Sequence, residues 1–261
     1  MHIRKKSCTF VRFFDLIKNN NDNNMRFIGI IPARYASTRF PGKPLADIGG
    51  KPMIQRVYEQ AKKALSTVVV ATDDERIYNT VLQFGGEAVM TSPACKCGTE
   101  RCQEVASQLG LTKDDVVINI QGDEPFIQPS QIEAIQSCFP TEIATLVKPF
   151  AEGEDITNVN TPKVVINRHH YAMYFSRSVI PYTRCEPTTM YKHIGMYAYR
   201  ADILNEIVQL EQTPLEKAES LEQLRWLENG YPIKVAISNT YSIGIDTPED
   251  LERARQFLSK Q

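Results

Sequence analysis

Residues 116–125 read Val-Val-Ile-Asn-Ile-Gln-Gly-Asp-Glu-Pro, an apolar, β-branched run that ends at a Gly-Asp turn. Runs of this kind are typical of strands that are buried on both faces of a mainly parallel sheet. Two similar runs precede it, Phe-Ile-Gly-Ile-Ile at 27–31 and Val-Val-Val at 68–70. The sequence therefore predicts a buried sheet whose strands end in polar loops.

Helical patterns separate these strands, near residues 52–64, 74–84 and 99–109. Pro52 follows a Gly-Gly turn and is expected at the first position of its helix, where proline is favoured. The alternation of strand and helix predicts an α/β fold with a mixed, mainly parallel sheet that helices flank on both sides.

The pattern changes after residue 150, where strand-like and helical segments follow one another closely. We expect a smaller substructure over about 150–231, and a return to the main body over 232–261. The segments are strands near 163–167, 171–175, 192–200 and 232–237, and helices near 201–211, 215–229 and 248–258.

Residues 1–24 are expected to be a disordered appendage, and the folded domain to span 25–261. Residues 10–17 imitate a signal peptide poorly, because Arg12 and Asp15 interrupt the apolar stretch and no cleavage site follows. The Asn-rich run at 19–24 cannot build a core.

Composition excludes several classes of protein. The chain has 261 residues, 42% hydrophobic and 23% charged, with a net charge of −1. It lacks the basic surplus of nucleic-acid-binding domains and an apolar run of roughly 20 residues that could insert into a membrane. Six scattered cysteines favour a reducing, cytoplasmic location over a disulfide framework; they are Cys8, Cys95, Cys97, Cys102, Cys138 and Cys185.

The loop at residues 32–44 is a candidate phosphate site. Arg34, Arg39 and Lys43 lie within ten residues, among glycine, proline and hydroxyl side chains. Several charge-assisted donors and backbone N–H groups are what a polyphosphate requires. A solvated basic loop is an equally reasonable interpretation, since neither the Walker A nor the dinucleotide motif is present.

Asp123 and Asp246 are candidate metal ligands at the ends of two strand-like segments. Mg²⁺ prefers one or two carboxylates together with substrate phosphates. Asp123 could instead belong to an ordinary turn. Thr247 and Pro248 are explained by the start of a helix, which leaves Asp246 available.

At these loops the chain resembles the 3-deoxy-manno-octulosonate (Kdo) cytidylyltransferases. The matches run in order from Met25 to the end of the chain, and together they are specific. They are PARYASTRFPGKPL (32–45), VATD (70–73), GTER (98–101), QGDEP (121–125), YFSRS (174–178), HIGMYAYR (193–200), LEQLR (221–225) and GIDTPEDLE (244–252).

The resemblance implies a nucleotide-diphospho-sugar transferase fold and a cytoplasmic homodimer. It implies transfer of CMP from CTP to Kdo for lipopolysaccharide biosynthesis, with Mg²⁺ as cofactor and Asp123 and Asp246 as metal ligands. The nucleotide-binding part is then about 25–149 and 232–261, and the sugar-binding and dimerisation part about 150–231. The implied nucleotide-side residues are Ala33, Arg34, Arg39, Lys43, Asp73, Cys97, Arg101 and Gln121, of which Arg34 and Lys43 join the two aspartates as catalytic residues.

On the sugar side the resemblance implies Arg177, His193, Tyr197, Glu222 and Gln223. The period of a strand places His193 and Tyr197 on one face. Without the family, a solvent-facing strand surface would be the preferred explanation of that pair. Glu222 and Gln223 could likewise be surface residues of a helix whose leucines mark its core side.

One departure from the family concerns residue 97, where many members have serine and this chain has cysteine. A thiol is a weaker hydrogen-bond donor than a hydroxyl. A zinc site formed by Cys95, Cys97 and Cys102 would lack a fourth ligand at the usual spacing. Chance clustering of three cysteines is the simpler explanation.

Two other functions are compatible with the pattern. One is a sibling enzyme that uses another sugar acid or a sugar phosphate, against which the motifs at 193–200 and 221–225 argue. The other is a non-catalytic nucleotide sensor, which would have no need of two metal-binding aspartates.

Overall fold

The computed structural model describes residues 25–36, 40–240 and 244–259. The predicted appendage at 1–24 and the predicted nucleotide-binding residue Arg39 lie outside the described residues. None of the helices within these ranges is long and apolar enough to cross a membrane.

The described chain alternates strands and helices, as the apolar runs predict. The strands are β1 Arg26–Ala33, β2 Asp47–Ile48, β3 Lys51–Pro52, β4 Thr67–Thr72, β5 Ala88–Met90, β6 Asp115–Asn119, β7 Ile143–Pro149, β8 Lys163–Ile166, β9 Ala172–Ser176, β10 Tyr191–Arg200 and β11 Ile233–Ile237. The α-helices are α1 Met53–Ala64, α2 Glu75–Gln83, α3 Gly98–Gln108, α4 Pro129–Gln136, α5 Ala201–Ile207, α6 Pro214–Glu219, α7 Glu222–Glu228 and α8 Pro248–Leu258, and a 3-10 helix spans Lys43–Leu45.

A nine-stranded sheet forms the centre of the molecule. Its main path runs in the order β11-β7-β10-β6-β1-β4-β5, and β8 and β9 extend it beside β10. Adjacent strands are parallel along the path β6-β1-β4-β5, and β11 is parallel to β7. Strand β10 runs antiparallel to both of its neighbours on the main path, β6 and β7. The predicted mixed, mainly parallel α/β fold is confirmed.

Helices cover both faces of the sheet, because its central strands are apolar on both sides. On one face Val69 and Val117 pack with Cys102 and Val105 of α3 and with Trp226 of α7. On the other face, α1, α2 and α4 pack against the opposite side chains of β1, β4 and β6. A smaller third cluster joins Ile245 and α8 to the residues around β2 and β3.

The region around 150–231 shares the main sheet. Its strand β10 lies between β6 and β7, and β8 pairs with β10 near Tyr191 and Lys192. The predicted sugar-binding and dimerisation part thus contributes a central strand to the same sheet as the predicted nucleotide-binding part. The functional division between the two parts remains a prediction.

Several element boundaries differ from the prediction. Pro52 precedes α1 as its N-cap residue and does not occupy the first helical position. The predicted helix over 215–229 is two helices, α6 and α7, separated at Ser220, whose φ is 51°. Strands β5 and β7 and helix α4 were not predicted.

Candidate active site

The predicted loops meet at one edge of the sheet, beyond the carboxyl ends of β1 and β6, where open α/β sheets usually bind ligands. They enclose a cavity of about 380 Å³. Eight predicted nucleotide-side or metal-binding residues line it: Ala33, Arg34, Lys43, Cys97, Arg101, Gln121, Asp123 and Asp246. The remaining lining residues are Pro32, Pro44, Cys95, Lys96, Gly98 and Gly122.

Lys43 connects the two candidate metal ligands. Its Nζ donates to Oδ2 of Asp123 at 2.8 Å and lies 3.4 Å from Oδ1 of Asp246. The same Nζ donates to the carbonyl oxygen of Ile245 at 2.9 Å. Both carboxylates therefore face a single cation position, although they lie far apart in the sequence.

Main-chain contacts bring the loops of the two aspartates together. The N–H of Ile245 donates to the carbonyl oxygen of Asp123 at 2.9 Å. Gly122 lets the loop of Asp123 lie against the end of β1, because an added Cβ would stand only 2.9 Å from the carbonyl oxygen of Pro32. Thr247 caps α8 by accepting from the N–H of Asp250, so the predicted capping role is also confirmed.

The N-terminus of α3 borders the cavity at Cys97 and Gly98. Because the unpaired N–H groups and the dipole of a helix favour anions at this end, α3 adds to the positive potential of Arg34 and Lys43. Arg101 is buried one turn into α3, and its guanidinium donates to Asp73 at 3.0 Å. Asp73 thus orients Arg101 from outside the cavity lining.

The cysteines near the cavity point to different carboxylates. Cys95 Sγ lies 3.1 Å from Glu104 Oε2, and Cys97 Sγ lies 3.4 Å from Glu222 Oε1. Burial raises the pKa of both thiols to about 11. Within the described part of the chain, no three His, Cys, Asp or Glu side chains are grouped so that they could hold a metal ion, and this geometry does not favour the zinc alternative.

The sugar-side residues of β10 follow the predicted strand face. Tyr197 belongs to the apolar cluster that contains α7, and its ring lies 5.2 Å from that of His193 and 5.0 Å from that of Trp226. His193 Nε2 is 2.9 Å from Thr145 Oγ1, and burial lowers the pKa of His193 to about 4. Both side chains are partly or fully buried, which contradicts the solvent-facing alternative.

A bulge in β10 links the two sides of the site. The register with β7 shifts between Ile194 and Tyr197, and within this stretch the carbonyl oxygen of Gly195 accepts from Gln121 Nε2 at 2.8 Å. Bulges redirect the main chain in this way. Gln121 therefore contacts the strand of His193 and Tyr197 while it lines the cavity.

Glu222 and Gln223 begin helix α7 and are not surface residues. Gln223 is buried, and the Glu222 carboxylate accepts from Thr99 Oγ1 at 2.8 Å and from Arg225 at 3.0 Å. Burial raises the pKa of Glu222, whereas the hydrogen bond from Thr99 and the charge of Arg225 lower it. The surface alternative is therefore wrong for both residues.

Arg177 lies at the end of β9, outside the cavity lining. Its guanidinium donates to the carbonyl oxygens of Glu219 at 2.7 Å, Val159 at 2.8 Å and Ser220 at 3.2 Å. These bonds fasten the turn between α6 and α7. The sugar-binding role of Arg177 stays a prediction, and in this structure the residue supports the helix that presents Glu222.

Two residues with evident roles at the site were not predicted. Lys96 is an exposed cation that lines the cavity beside the start of α3. Thr99 holds a carboxylate oxygen of Glu222 across 123 positions of sequence. Lys96 could have been predicted from the local sequence, because it is a cation immediately before the start of α3, beside the candidate residue Cys97. Thr99 had none, since its partner is distant in the chain.

Comparisons with known proteins agree with this geometry. The family model described as Cytidylyltransferase matches residues 28–237. A 3-deoxy-manno-octulosonate cytidylyltransferase of Parabacteroides distasonis is 61% identical, with 91% of this chain and 100% of the relative covered. The enzyme of the same name from Bacteroides thetaiotaomicron is 58% identical, again with 91% of this chain and 100% of the relative covered.

Solved structures give the same result. The structure of CMP:2-keto-3-deoxy-manno-octonic acid synthetase complexed with CTP superposes with a TM-score of 0.84 at 42% identity, covering 90% of this chain and 99% of that one. A glucose-1-phosphate thymidylyltransferase from Bacillus anthracis, at 17% identity and a TM-score of 0.61, shares the fold alone; it covers 88% of this chain and 94% of that one. With its cavity, fold and relatives in agreement, the chain belongs to the family of 3-deoxy-manno-octulosonate cytidylyltransferases.

Proposed function

We propose that the protein is a nucleotidyltransferase that transfers CMP from CTP to Kdo, releases pyrophosphate and supplies CMP-Kdo for lipopolysaccharide biosynthesis. The single observation that best supports this function is the cavity in which Lys43 contacts both Asp123 and Asp246 beside the N-terminus of α3. The 61% identity to a 3-deoxy-manno-octulosonate cytidylyltransferase supports CTP as the nucleotide substrate and Kdo as the acceptor sugar.

The chain's own groups account for triphosphate binding. Arg34, Lys43 and Lys96 bring positive charge to the cavity, and the first N–H groups of α3 supply uncharged donors. Arg101 adds a buried guanidinium that Asp73 holds in place. Charge-assisted hydrogen bonds of this kind are about twice as strong as neutral ones, and they fix the triphosphate in one position.

Mg²⁺ is part of the proposal, with Asp123 and Asp246 as its protein ligands. The two carboxylates fit a divalent cation, because both already contact the single ammonium of Lys43. Mg²⁺ typically takes one or two carboxylates and completes its shell with phosphate oxygens and water. When bound, Mg²⁺ supplies charge neutralisation at the phosphates and lowers the pKa of the attacking hydroxyl.

The protein contributes mainly position to the reaction. The anomeric hydroxyl of Kdo attacks the α-phosphorus of CTP in line, the new C–O–P bond forms as the bond to pyrophosphate breaks, and the hydroxyl proton passes to solvent water. Transfers of this kind depend on alignment and charge neutralisation more than on covalent catalysis. Gln121, which bridges the cavity and β10, ties the nucleotide side to the sugar side.

Sugar binding is assigned to the region of His193, Tyr197, Glu222 and Gln223. Gln223 Nε2 is buried and has no hydrogen-bond partner among the described residues, so a donor is available for a ligand. A buried polar group without a hydrogen-bond partner costs about 1–3 kcal/mol of folding free energy. A hydrogen bond from Gln223 Nε2 to a sugar hydroxyl oxygen would offset this cost.

Mass spectrometry tests the function directly. Purified protein with CTP, Kdo and Mg²⁺ should form CMP-Kdo together with an equal amount of pyrophosphate. Absence of product from well-folded protein, while an authentic family member is active under the same conditions, would contradict the proposal.

A panel of acceptors separates the alternatives. Pyrophosphate release with a sialic acid or a sugar phosphate, but not with Kdo, would identify a sibling enzyme. Binding of CTP without pyrophosphate release from any acceptor would identify a nucleotide sensor.

A homodimer is the proposed assembly. Large hydrophobic side chains are exposed in the predicted dimerisation part, with Val159 at 59%, Met173 at 62% and Tyr182 at 86% exposure, and a partner would cover such a surface. Sedimentation velocity should give a dimer for the wild type and a monomer for Met173→Glu with Tyr182→Glu. Leu82→Glu, at an exposed leucine of α2, is the matched control and should remain dimeric. A monomeric wild type would contradict the proposal.

We propose a cytoplasmic location because the described cysteines are free thiols. The five described cysteines are free thiols, among them the exposed Cys185. Free thiols are the rule in reducing compartments.

A further inference from the structure

The Glu222 carboxylate is held by Arg225 of its own helix and by residues of another helix. Its Oε2 accepts from Thr99 Oγ1 at 2.8 Å, and its Oε1 lies 3.4 Å from Cys97 Sγ. Thr99 is buried in the first turn of α3, and Cys97 is the N-cap residue of the same helix. The start of α3, which borders the cavity, is therefore bonded directly to the start of α7.

An unsatisfied donor lies on the same helix as this link. Gln223 Nε2 is buried and has no hydrogen-bond partner among the described residues. The rings of Tyr197 and Tyr199 pack edge-on against the buried Trp226 at 5.0 and 5.5 Å, so they form the core behind the start of α7. The Glu222 side chain remains 29% exposed, and its carboxylate can therefore accept from a hydroxyl-bearing ligand.

We propose that Thr99, assisted by Cys97, is a positioning residue that fixes the Glu222 carboxylate for binding of the sugar substrate. This inference rests on the proposed function, because the sugar is what gives Glu222 its task. The Thr99 hydroxyl occupies one lone pair of Oε2 and, together with Arg225 on Oε1, sets the rotation of the carboxylate. The remaining lone pairs then point in a fixed direction, where they accept from sugar hydroxyls. Because α3 also contacts the triphosphate cavity, both substrates are aligned by one helix.

The charge state of Glu222 depends on the same bond. The titratable or charged groups that face Glu222 are Cys97 and Cys102 of α3, Glu216 of α6, Arg225 of α7, and Tyr197 and Tyr199 of β10. Burial raises the pKa of Glu222, and the Thr99 hydroxyl acts against that shift. Loss of the hydroxyl therefore raises the pKa further, and the carboxylate becomes protonated at a higher pH.

Steady-state kinetics of Thr99→Val and Thr99→Ser test the role. Valine keeps the shape and loses the donor, so the KM for Kdo should rise about ten- to a hundredfold, as expected for a lost bond to a charged group. The KM for CTP should stay within about twofold. The acidic limb of the pH profile of kcat/KM for Kdo should move to higher pH. Thr99→Ser should restore both properties.

Thr80→Val on α2 is the control variant, because the Thr80 hydroxyl donates to the Arg76 carbonyl oxygen within its own helix. It should behave like the wild type. An unchanged KM for Kdo in Thr99→Val, an equal loss for CTP and Kdo, or equal losses in the valine and serine variants would overturn the proposal.

A second measurement is independent of turnover. The pKa of the Glu222 carboxyl, followed by carbon NMR, should be higher in Thr99→Val than in the wild type and in Thr99→Ser. If the wild type forms no CMP-Kdo, the proposed function fails, while the NMR titration still tests the bond. An unchanged pKa in Thr99→Val would overturn the inference.

Discussion

The Lys43 ammonium contacts two carboxylates that come from separate loops, and this contact leaves the group of three with a net negative charge. Asp123 follows β6 and Asp246 precedes α8, so no local pattern connects them. Each aspartate also has an ordinary structural explanation in its own turn. Substitutions that keep shape but remove charge distinguish the two roles.

Asp123→Asn and Asp246→Asn should each fold normally and lose product formation by about 10³-fold or more, because asparagine retains the shape but not the charge of the proposed Mg²⁺ ligands. The double variant should be little worse than either single one, since both residues serve one ion. Rates of pyrophosphate release at saturating Mg²⁺, with circular dichroism as the folding check, provide the measurement.

Asp155→Asn is the matched control, because Asp155 is an aspartate outside the cavity lining whose carboxylate accepts from Thr157. Its rate should equal that of the wild type. A wild-type rate in either folded single variant of the cavity would disprove the shared-metal assignment.

His193 makes the stability of the protein depend on pH. Burial lowers its pKa to about 4, below the value of about 6.5 expected in the unfolded chain. The unfolded state therefore binds the proton more readily, and the stability contributed by neutral His193 is full above about pH 6.5 and is lost as the pH falls toward 4.

His193→Gln should remove this component, so that the urea midpoint falls less between pH 7 and pH 5 than it does in the wild type. His169→Gln, at an exposed histidine, should leave the pH dependence unchanged. If His193→Gln and the wild type lost equal stability over this interval, the neutral, buried histidine would be excluded.

At the scale of residues, the cavity could be predicted far better than its sugar side. Arg34, Lys43, Asp123 and Asp246 stand in loops that follow strongly apolar strands or precede a capped helix, and their residue types are unusual there. Arg177 shows the limit, because it donates to main-chain carbonyl oxygens of three other residues. Every residue offers a carbonyl oxygen, so the sequence does not mark such partners.

Helix boundaries were predictable where the chain itself supplies the cap. The predicted helix 248–258 has the same bounds as α8. Its start was predictable because Thr247, Pro248 and Asp250 form a local start signal. The break between α6 and α7 depends instead on distant groups, since Ser176 and Arg177 hold Glu219 immediately before it. The run over 215–229 therefore resembles one helix.

Thr247→Ala should destabilise the protein by about 1 kcal/mol, because the capping bond from the N–H of Asp250 is lost. Thr247→Ser should retain most of that stability. The free energy of unfolding from urea titrations provides the measurement.

Thr213→Ala is the comparison variant, because Thr213 is the N-cap residue of α6 but makes no capping hydrogen bond. It should cost much less than Thr247→Ala. Equal losses at the two positions would show that the cap of α8 contributes nothing.

For the whole molecule, the class of the fold followed from the sequence but the order of the strands did not. Apolar runs reveal that β1, β4 and β6 are buried, and alternation with helices implies parallel pairing. The position of β10 between β6 and β7 could not be predicted from the sequence. The pairing of strands far apart in the chain produces no periodic pattern of apolar residues within any one of them. The region 150–231 was therefore expected outside the main sheet.

Deletion of residues 1–24 should leave the melting temperature and the rate of CMP-Kdo formation nearly unchanged. An Asn-rich segment buries little apolar surface, and the nine strands pair among themselves within the described residues. Differential scanning calorimetry and the product assay provide the measurements.

Deletion of residues 1–31 is the contrasting variant, because it removes most of β1, a strand with neighbours on both sides. This shorter chain should fail to fold. A large loss of stability or rate in the first deletion would show that residues 1–24 pack on the domain.

The contact between Ile245 and Asp123 has a consequence for how the enzyme is made. The N-terminus of a chain emerges from the ribosome first, and domains begin to fold during synthesis. A nascent chain that has emerged up to β11 already holds Asp123, Lys43 and the start of α3, but it still lacks Asp246. The second carboxylate arrives with the final segment, when the N–H of Ile245 reaches the carbonyl oxygen of Asp123. Under the proposed two-aspartate metal site, every ribosome-bound intermediate before that contact forms is expected to be inactive, even where most of its sheet has formed.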